Sequence, residues 1–285
     1  MDKEELIAML NKDIAEEHAA IIRYLTHSYL EGEDTPLGAG LLSRSREEMW
    51  HMHWLGMVIA QLGGEPNMTP APYPYDPTNR ETIFKSYVEY ELKLVPHYSG
   101  EADRVDDPHI KRVLQREGWE SAMHAQKFQR VLDKLTPEEA AGVPGEENEL
   151  PQDFVDKLQD LVSSKYTQVL QHVRDGWVFQ DEGITGWEVM DFSMTQMKQL
   201  AHVAEEVAEN GIPPRFDAGQ IDIGRSIGAA LQNTLENVRA SRERHLRFRD
   251  ESETQKHAGL IISLDLTLKQ EEYEAAEIEG WIKKL

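Results

Sequence analysis

Glycine and proline interrupt helices, and in this chain they are few and fall in short clusters between long tracts. Within the tracts, apolar residues return at helical spacing. Leu6, Leu10, Ile14, Ile21, Tyr24 and Leu25 mark one face of a helix predicted over residues 5–30, ended by Gly32 and Pro36. A second helix is predicted over 37–62, stopped by Gly63-Gly64 with Pro66 beyond. Residues 70–77 are rich in proline and tyrosine and read as a non-helical crossover. A third helix is predicted over 80–102, kinked at Pro96, and a fourth opens after Asp106-Asp107-Pro108 and runs to Leu135. Helices of this length span about 35–42 Å. Four of them with one long connection, between the second and third, give the layout of a four-helix bundle.

The pattern then repeats. Residues 136–152 carry prolines, glycines and acids and read as a linker, after which helices are predicted over 153–179, 184–210, 219–249 and 251–284. An offset of 148 places Gly63 on Gly211 and Pro66 on Pro214, and an offset of 150 places Asp133-Lys134-Leu135 on Lys283-Lys284-Leu285. The expected architecture is all-α: two tandem four-helix bundles, residues 1–138 and 151–285, arising by duplication.

Composition removes several function classes. The chain has 285 residues and no cysteine, so disulfides, thiolate catalysis, zinc–thiolate sites and iron–sulfur clusters are excluded. Any bound metal must use His, Asp, Glu, backbone or water. A net charge of −22 opposes binding to nucleic acid and suits cations or a basic protein partner. No stretch is apolar for long enough to span a membrane, and the first residues do not resemble a signal peptide, so a cytoplasmic location is expected.

The first bundle places ionisable groups on apolar stripes. Glu48 and His51 are three apart and share a helix face, so one metal pair can receive a carboxylate and an imidazole from them. Glu17 sits mid-helix with Ala20, Ile21 and Tyr24, and Glu91 mid-helix with Leu94, Val95 and Tyr98. The fourth helix offers His124, preceded by Glu120 and Glu117. Unpaired buried carboxylates cost several kcal/mol each, and divalent cations would compensate them.

This set resembles the ferritin-like di-iron carboxylate proteins, in which two helices give one Glu each and two give Glu-x-x-His. Over residues 5–135 it is most similar to bacterioferritin, in Glu17-His18-Ala19-Ala20-Ile21-Ile22-Arg23-Tyr24 and in Glu47-Glu48-Met49-Trp50-His51 leading to Gly63-Gly64-Glu65-Pro66-Asn67. The resemblance implies Glu17 and Glu91 as terminal ligands, Glu48 as the bridge, and His51 and His124 on one iron each. It departs on the fourth helix, where Ser121 stands in place of the expected Glu. Glu120 or Glu117 would fill that place, with Glu120 preferred. Tyr24 takes either a redox role or a packing role. Met49 occupies the position of a haem-ligating methionine, but haem is not expected. His18, His27 and His53 are expected at the surface, and Trp50, Trp54 and Trp119 in packing.

In the second bundle the offset turns Glu17 into Lys165, Glu48 into Gln196 and His51 into Gln199, with Glu236, Glu271 and Glu274 as the remaining acids. A metal-free interior is expected there, with Lys165 supplying the positive charge. The resemblance implies a di-iron centre (manganese or zinc being alternatives) that reacts Fe(II) with O2 or peroxide, served by an unknown reductant. An oxidase or oxygenase of a small organic substrate uses the same ligands, and a non-catalytic metal-binding or structural bundle is the third reading. The fused pair is expected to imitate the family's two-fold dimer, as a monomer or a homo-oligomer, rather than to build a storage shell.

Overall fold

The computed structural model describes all residues except Tyr75 and 146–149, and all side chains but those of residues 184 and 185. Tyr75 of the expected crossover and residues 146–149 of the expected linker therefore lie outside the described residues. The chain divides into two compact units, Met1–Glu146 and Glu147–Leu285. Each is a four-helix bundle, and among the described residues there is no strand.

In the first unit α1 (Lys3–Glu31) packs on α2 (Pro36–Gln61), and α3 (Arg80–Arg104) on α4 (Pro108–Leu132). The helix starts follow from side chains that accept the free N–H groups of a first turn. Asp2 accepts from the Glu5 N–H at 2.8 Å, Thr35 from Gly38 at 3.0 Å, and Asp107 from His109 and Ile110, while Asn79 and Thr82 form a reciprocal capping box. Helix α3 continues through Pro96 to Arg104. Part of the expected linker is ordered as a single-turn helix, α5 (Pro137–Ala141), capped by Thr136 and tied back where the Arg80 N–H donates to Gly142 O at 2.9 Å. The α1–α2 turn is tight: a Cβ on Gly38 would stand 2.0 Å from Gly32 O.

The second unit pairs α6 (Gln152–Val178) with α7 (Ile184–Glu209), and α8 (Ile227–Arg249) with α9 (Ala258–Ile282). Two expected boundaries move. Helix α8 begins at Ile227, not near 219, because side chains of α6 satisfy the backbone before it. Gln171 donates to Asp222 O and accepts from its N–H, Thr167 accepts from the Gly219 N–H, and Arg174 donates to Gly224 O. These bonds hold residues 210–226 outside any helix. Helix α9 begins at Ala258, since 254–256 form a separate 3-10 turn.

The repeat shows in the bonding. In the first unit Asn11 donates to Glu65 O at 3.0 Å and accepts from the Asn67 N–H at 2.7 Å. In the second, Gln159 donates to Pro213 O at 3.0 Å and accepts from the Arg215 N–H at 2.8 Å. All three positions are related by the offset of 148. Gly63 and Gly211, also so related, both have φ of 72°. A left-handed glycine ends the helix, and one amide from the first helix clamps the chain as it leaves.

Candidate metal centre

Four helices aim acids and imidazoles at the middle of the first unit. Glu17 from α1, Glu48 and His51 from α2, Glu91 from α3, and Glu117 and His124 from α4 are all at most 2% exposed. Two ligand triads result, Glu17–Glu48–His51 and Glu48–Glu91–His124, each with ligand atoms within 4.8 Å of one another. Glu48 belongs to both. Its Oε2 lies 2.8 Å from His51 Nδ1 and its Oε1 2.7 Å from His124 Nδ1. Glu17 approaches His51 Nδ1 at 3.2 Å, and Glu91 approaches His124 Nδ1 at 3.6 Å.

Both imidazoles therefore turn Nδ1 inward. Their outer nitrogens meet carboxylates in a crossed arrangement: His124 Nε2 to Glu47 of α2 at 2.5 Å, and His51 Nε2 to Glu120 of α4 at 2.7 Å. Arg44 holds Glu47 at 2.6 Å, and Arg116 holds Glu120 at 3.0 Å. A carboxylate on the outer nitrogen fixes the proton there and leaves the inner lone pair for a ligand. Glu120 is thus placed on the rim of the cluster; neither it nor Glu117 belongs to a triad, and Glu117 is fully buried with no hydrogen-bond partner on either oxygen. Glu47 was not among the candidates from sequence, although it directly precedes Glu48 as Glu120 precedes Ser121.

Tyrosines close the cluster. Tyr24, fully buried, donates to Glu91 Oε1 at 2.6 Å, and Tyr98 donates to Glu17. The Tyr24 ring lies 4.8 Å from Tyr87 and 5.1 Å from Phe128 between centroids, so it also packs. Burial pushes the Tyr24 phenol well above its ordinary value, with Glu91 adding to the effect. Other expectations change. His18 and His27 are buried, His27 between Tyr87 and Glu31, since α1 carries polar groups on several inward faces. Trp50 and Trp119 are exposed, at 58% and 62%, and pack into no core.

The donor set fits a pair of divalent cations. Four buried carboxylates, Glu17, Glu48, Glu91 and Glu117, face two imidazoles that are neutral when they ligate. Without metal, protons take the cations' place. Burial, joined by the charge of Glu48, pushes Glu17 up to about 8, and burial raises Glu117 well above the carboxylate range. Burial opposes charge on His124, but Glu48, Glu47 and Glu91 hold it up at about 12, and Glu17 and Glu48 raise His51 likewise. Glu48 is held well below the usual range, because His124 and His51 outweigh its burial. Orphaned oxygens on Glu117 and Glu91 remain for a further positive partner.

The second unit shows what replaces this set. Lys165, at the Glu17 position, is 1% exposed and donates to Glu271 at 2.7 Å, Gln199 at 2.6 Å and Gln196 at 3.1 Å. Glu271 also meets His245 of α8 at 3.0 Å, whereas Glu236 points outward. Among the described residues, the triads able to hold an ion all lie in the first unit. Glu274 accepts from Gln196 at 2.7 Å, but its other oxygen has no partner, and burial pushes it up to about 7. An acid raised this way favours the fold below its ordinary pKa, and that advantage is lost as pH rises through about 7. Glu274→Gln should therefore stabilise the second unit by about 1–3 kcal/mol at pH 8 and change little near pH 5, where the acid is already protonated in the fold. Hydrogen exchange of α9 peptides at the two pH values measures this, and a loss of protection at pH 8 would contradict it.

Comparison with known proteins agrees with this geometry. Residues 7–136 match the family model of the ferritin-like domain. No curated protein matches the chain. The matched segment runs from the first turns of α1 past the end of α4 and contains both triads, so the first unit carries a ferritin-like domain.

Proposed function

We propose that the first bundle is a bacterioferritin-like di-iron centre that binds Fe(II) and oxidises it with O2 or peroxide. The observation that carries this reading is the pair of buried triads sharing Glu48. Glu17 and Glu91 serve as terminal carboxylates, Glu48 as the bridge, and His51 and His124 each donate Nδ1 to one iron. Bound iron supplies the electrons that reduce the oxidant. The protein's own part is to fix the donors. Glu47 and Glu120 keep the outer imidazole protons in place, and the closed tyrosine wall of Tyr24 and Tyr98 holds Glu91 and Glu17 in orientation. The Tyr24 hydroxyl donates to Glu91 Oε1, so its proton would pass to that carboxylate if the oxidised centre took an electron from the ring.

The carboxylate that replaces the family's Glu at Ser121 is Glu117 in this reading, and Glu120 acts on His51 instead. Glu117→Ala should lower the count by about one ion per chain, whereas Glu120→Ala should keep both ions with affinity about 10–100-fold weaker. Metal analysis after equilibrium dialysis tests this. A normal count in Glu117→Ala beside a lowered one in Glu120→Ala would return the place to Glu120.

Adding Fe(II) aerobically to the metal-free protein tests the function itself. Oxygen uptake and ferric absorbance should saturate together at about two iron ions per chain. Tight binding without oxygen uptake would mark a metal holder, and no binding would end the di-iron reading.

A further inference from the structure

A third cluster lies outside the centre. Asp13 of α1 and His97 and Glu101 of α3 bring ligand atoms within 4.8 Å of one another. His97 Nε2 stands 2.8 Å from Asp13 Oδ1 and 3.5 Å from Glu101 Oε2. Metal–ligand bonds of about 2.0–2.2 Å leave neighbouring donors about 3–4 Å apart, so these separations suit one ion. Asp13 is fully buried and Glu101 is 8% exposed, while His97 is 38% exposed, so the cluster opens to solvent on one side only.

Two observations point to a cation rather than a closed ion pair. The second oxygen of Asp13 is buried without a hydrogen-bond partner. Glu117, buried and unpartnered at both oxygens, has His51, Glu17, Asp13 and Glu48 as the charged groups acting on it. Asp13 of the cluster and the acids of the centre thus both lie within electrostatic reach of Glu117. The two are also linked along the helices: Asp13 is one turn before Glu17, and His97 adjoins Tyr98, whose hydroxyl donates to Glu17. Around the cluster, Glu16 adds a negative charge near His97, and Arg104, the cation near Glu101, is engaged with Glu5 at 2.9 Å.

We propose that Asp13, His97 and Glu101 bind a divalent transition-metal cation, and that this site loads the dinuclear centre. Two carboxylates and one imidazole suit Fe(II), Co(II), Mn(II) or Zn(II), and three protein donors leave positions for water and for hand-over. The loading role rests on the function proposed above, but the binding of a cation here does not.

Cobalt(II) alone is the probe, read by equilibrium dialysis and visible absorption on the full chain. The wild type should bind about three ions, His97→Ala about two, and Glu48→Ala should retain the outer ion while losing centre ions. Glu101→Gln, a near-isosteric change, should match His97→Ala and guards against misfolding as the cause. Stopped-flow mixing should show the centre's absorption growing at least about 10-fold more slowly in both outer variants, with the same final spectrum. An unchanged count and rate in both would overturn the site, leaving Asp13–His97 as an ion pair. A lowered count with an unchanged rate would keep the site and overturn the loading role. A full count in Glu48→Ala beside a lowered one in His97→Ala would instead count against the dinuclear centre.

Discussion

Glu48→Ala should reduce metal binding at the centre from two ions to one or none and slow Fe(II) oxidation by about 100-fold or more. The size of the effect comes from position. Glu48 is the one carboxylate in both triads, with one oxygen on each imidazole. Removing Glu17 or Glu91 strips one ion of a terminal donor, whereas removing Glu48 takes a donor from each ion and the link between them. The metal-free protein should suffer too. Glu48 is the largest of the charges that keep His124 protonated against its burial, and it joins Glu17 in doing so for His51. Without it both imidazoles lose the counter-charge on their inner nitrogens, and the positive charge facing Glu17 and Glu91 weakens. Glu48→Gln keeps the volume and separates packing from charge. Calorimetric titration with Co(II), alongside oxygen uptake with Fe(II), is the measurement. Two ions bound at wild-type affinity in Glu48→Ala would remove the bridge from the account.

Lys165→Met should destabilise the second unit by about 3–5 kcal/mol near pH 8, the range found when one side of a buried ion pair is removed. Burial pushes Glu271 up, but His245 and Lys165 overcome it and hold Glu271 down at about 2. A depressed carboxylate adds stability that is present above its ordinary pKa, near 4.5, and is lost as pH falls toward about 2. With Met at 165 that advantage shrinks, and Glu271 and Glu274 keep His245 and the neutral amides of Gln196 and Gln199 around them but no permanent cation. The stranded acids then take up protons, so the deficit should be smaller near pH 5 than at pH 8. Exchange protection in α6 and α9 peptides separates this unit from the first. Equal protection in wild type and variant at both pH values would mean that the ammonium holds nothing together.

The sequence made the bundle architecture readable because helix length, apolar spacing and Gly/Pro stops are local properties. Glu17, Glu48, His51, Glu91 and His124 were readable for the same reason, each lying on an apolar stripe. The start of α8 was not, since residues 210–226 are held by side chains of α6 some fifty residues earlier. The choice of a helix-four carboxylate is not local in this way. At about 100° per residue, Glu117 lies within about 20° of His124 on the helix surface and Glu120 about 40° away, a margin that periodicity alone does not resolve. The crossed pairing of Glu47 with His124 and of Glu120 with His51 depends on two helices facing each other, which no single helix records.

The amide clamps at Asn11 and Gln159 contain no atom directed at a metal. They secure the path of the chain between helical hairpins from outside the polar interior. A duplicated copy that keeps its clamp keeps its topology, whatever mutation does to the residues inside. Shape and chemistry thus rest on different residues in this protein: the clamp recurs in both units, while an ammonium group stands in the second where a carboxylate stands in the first.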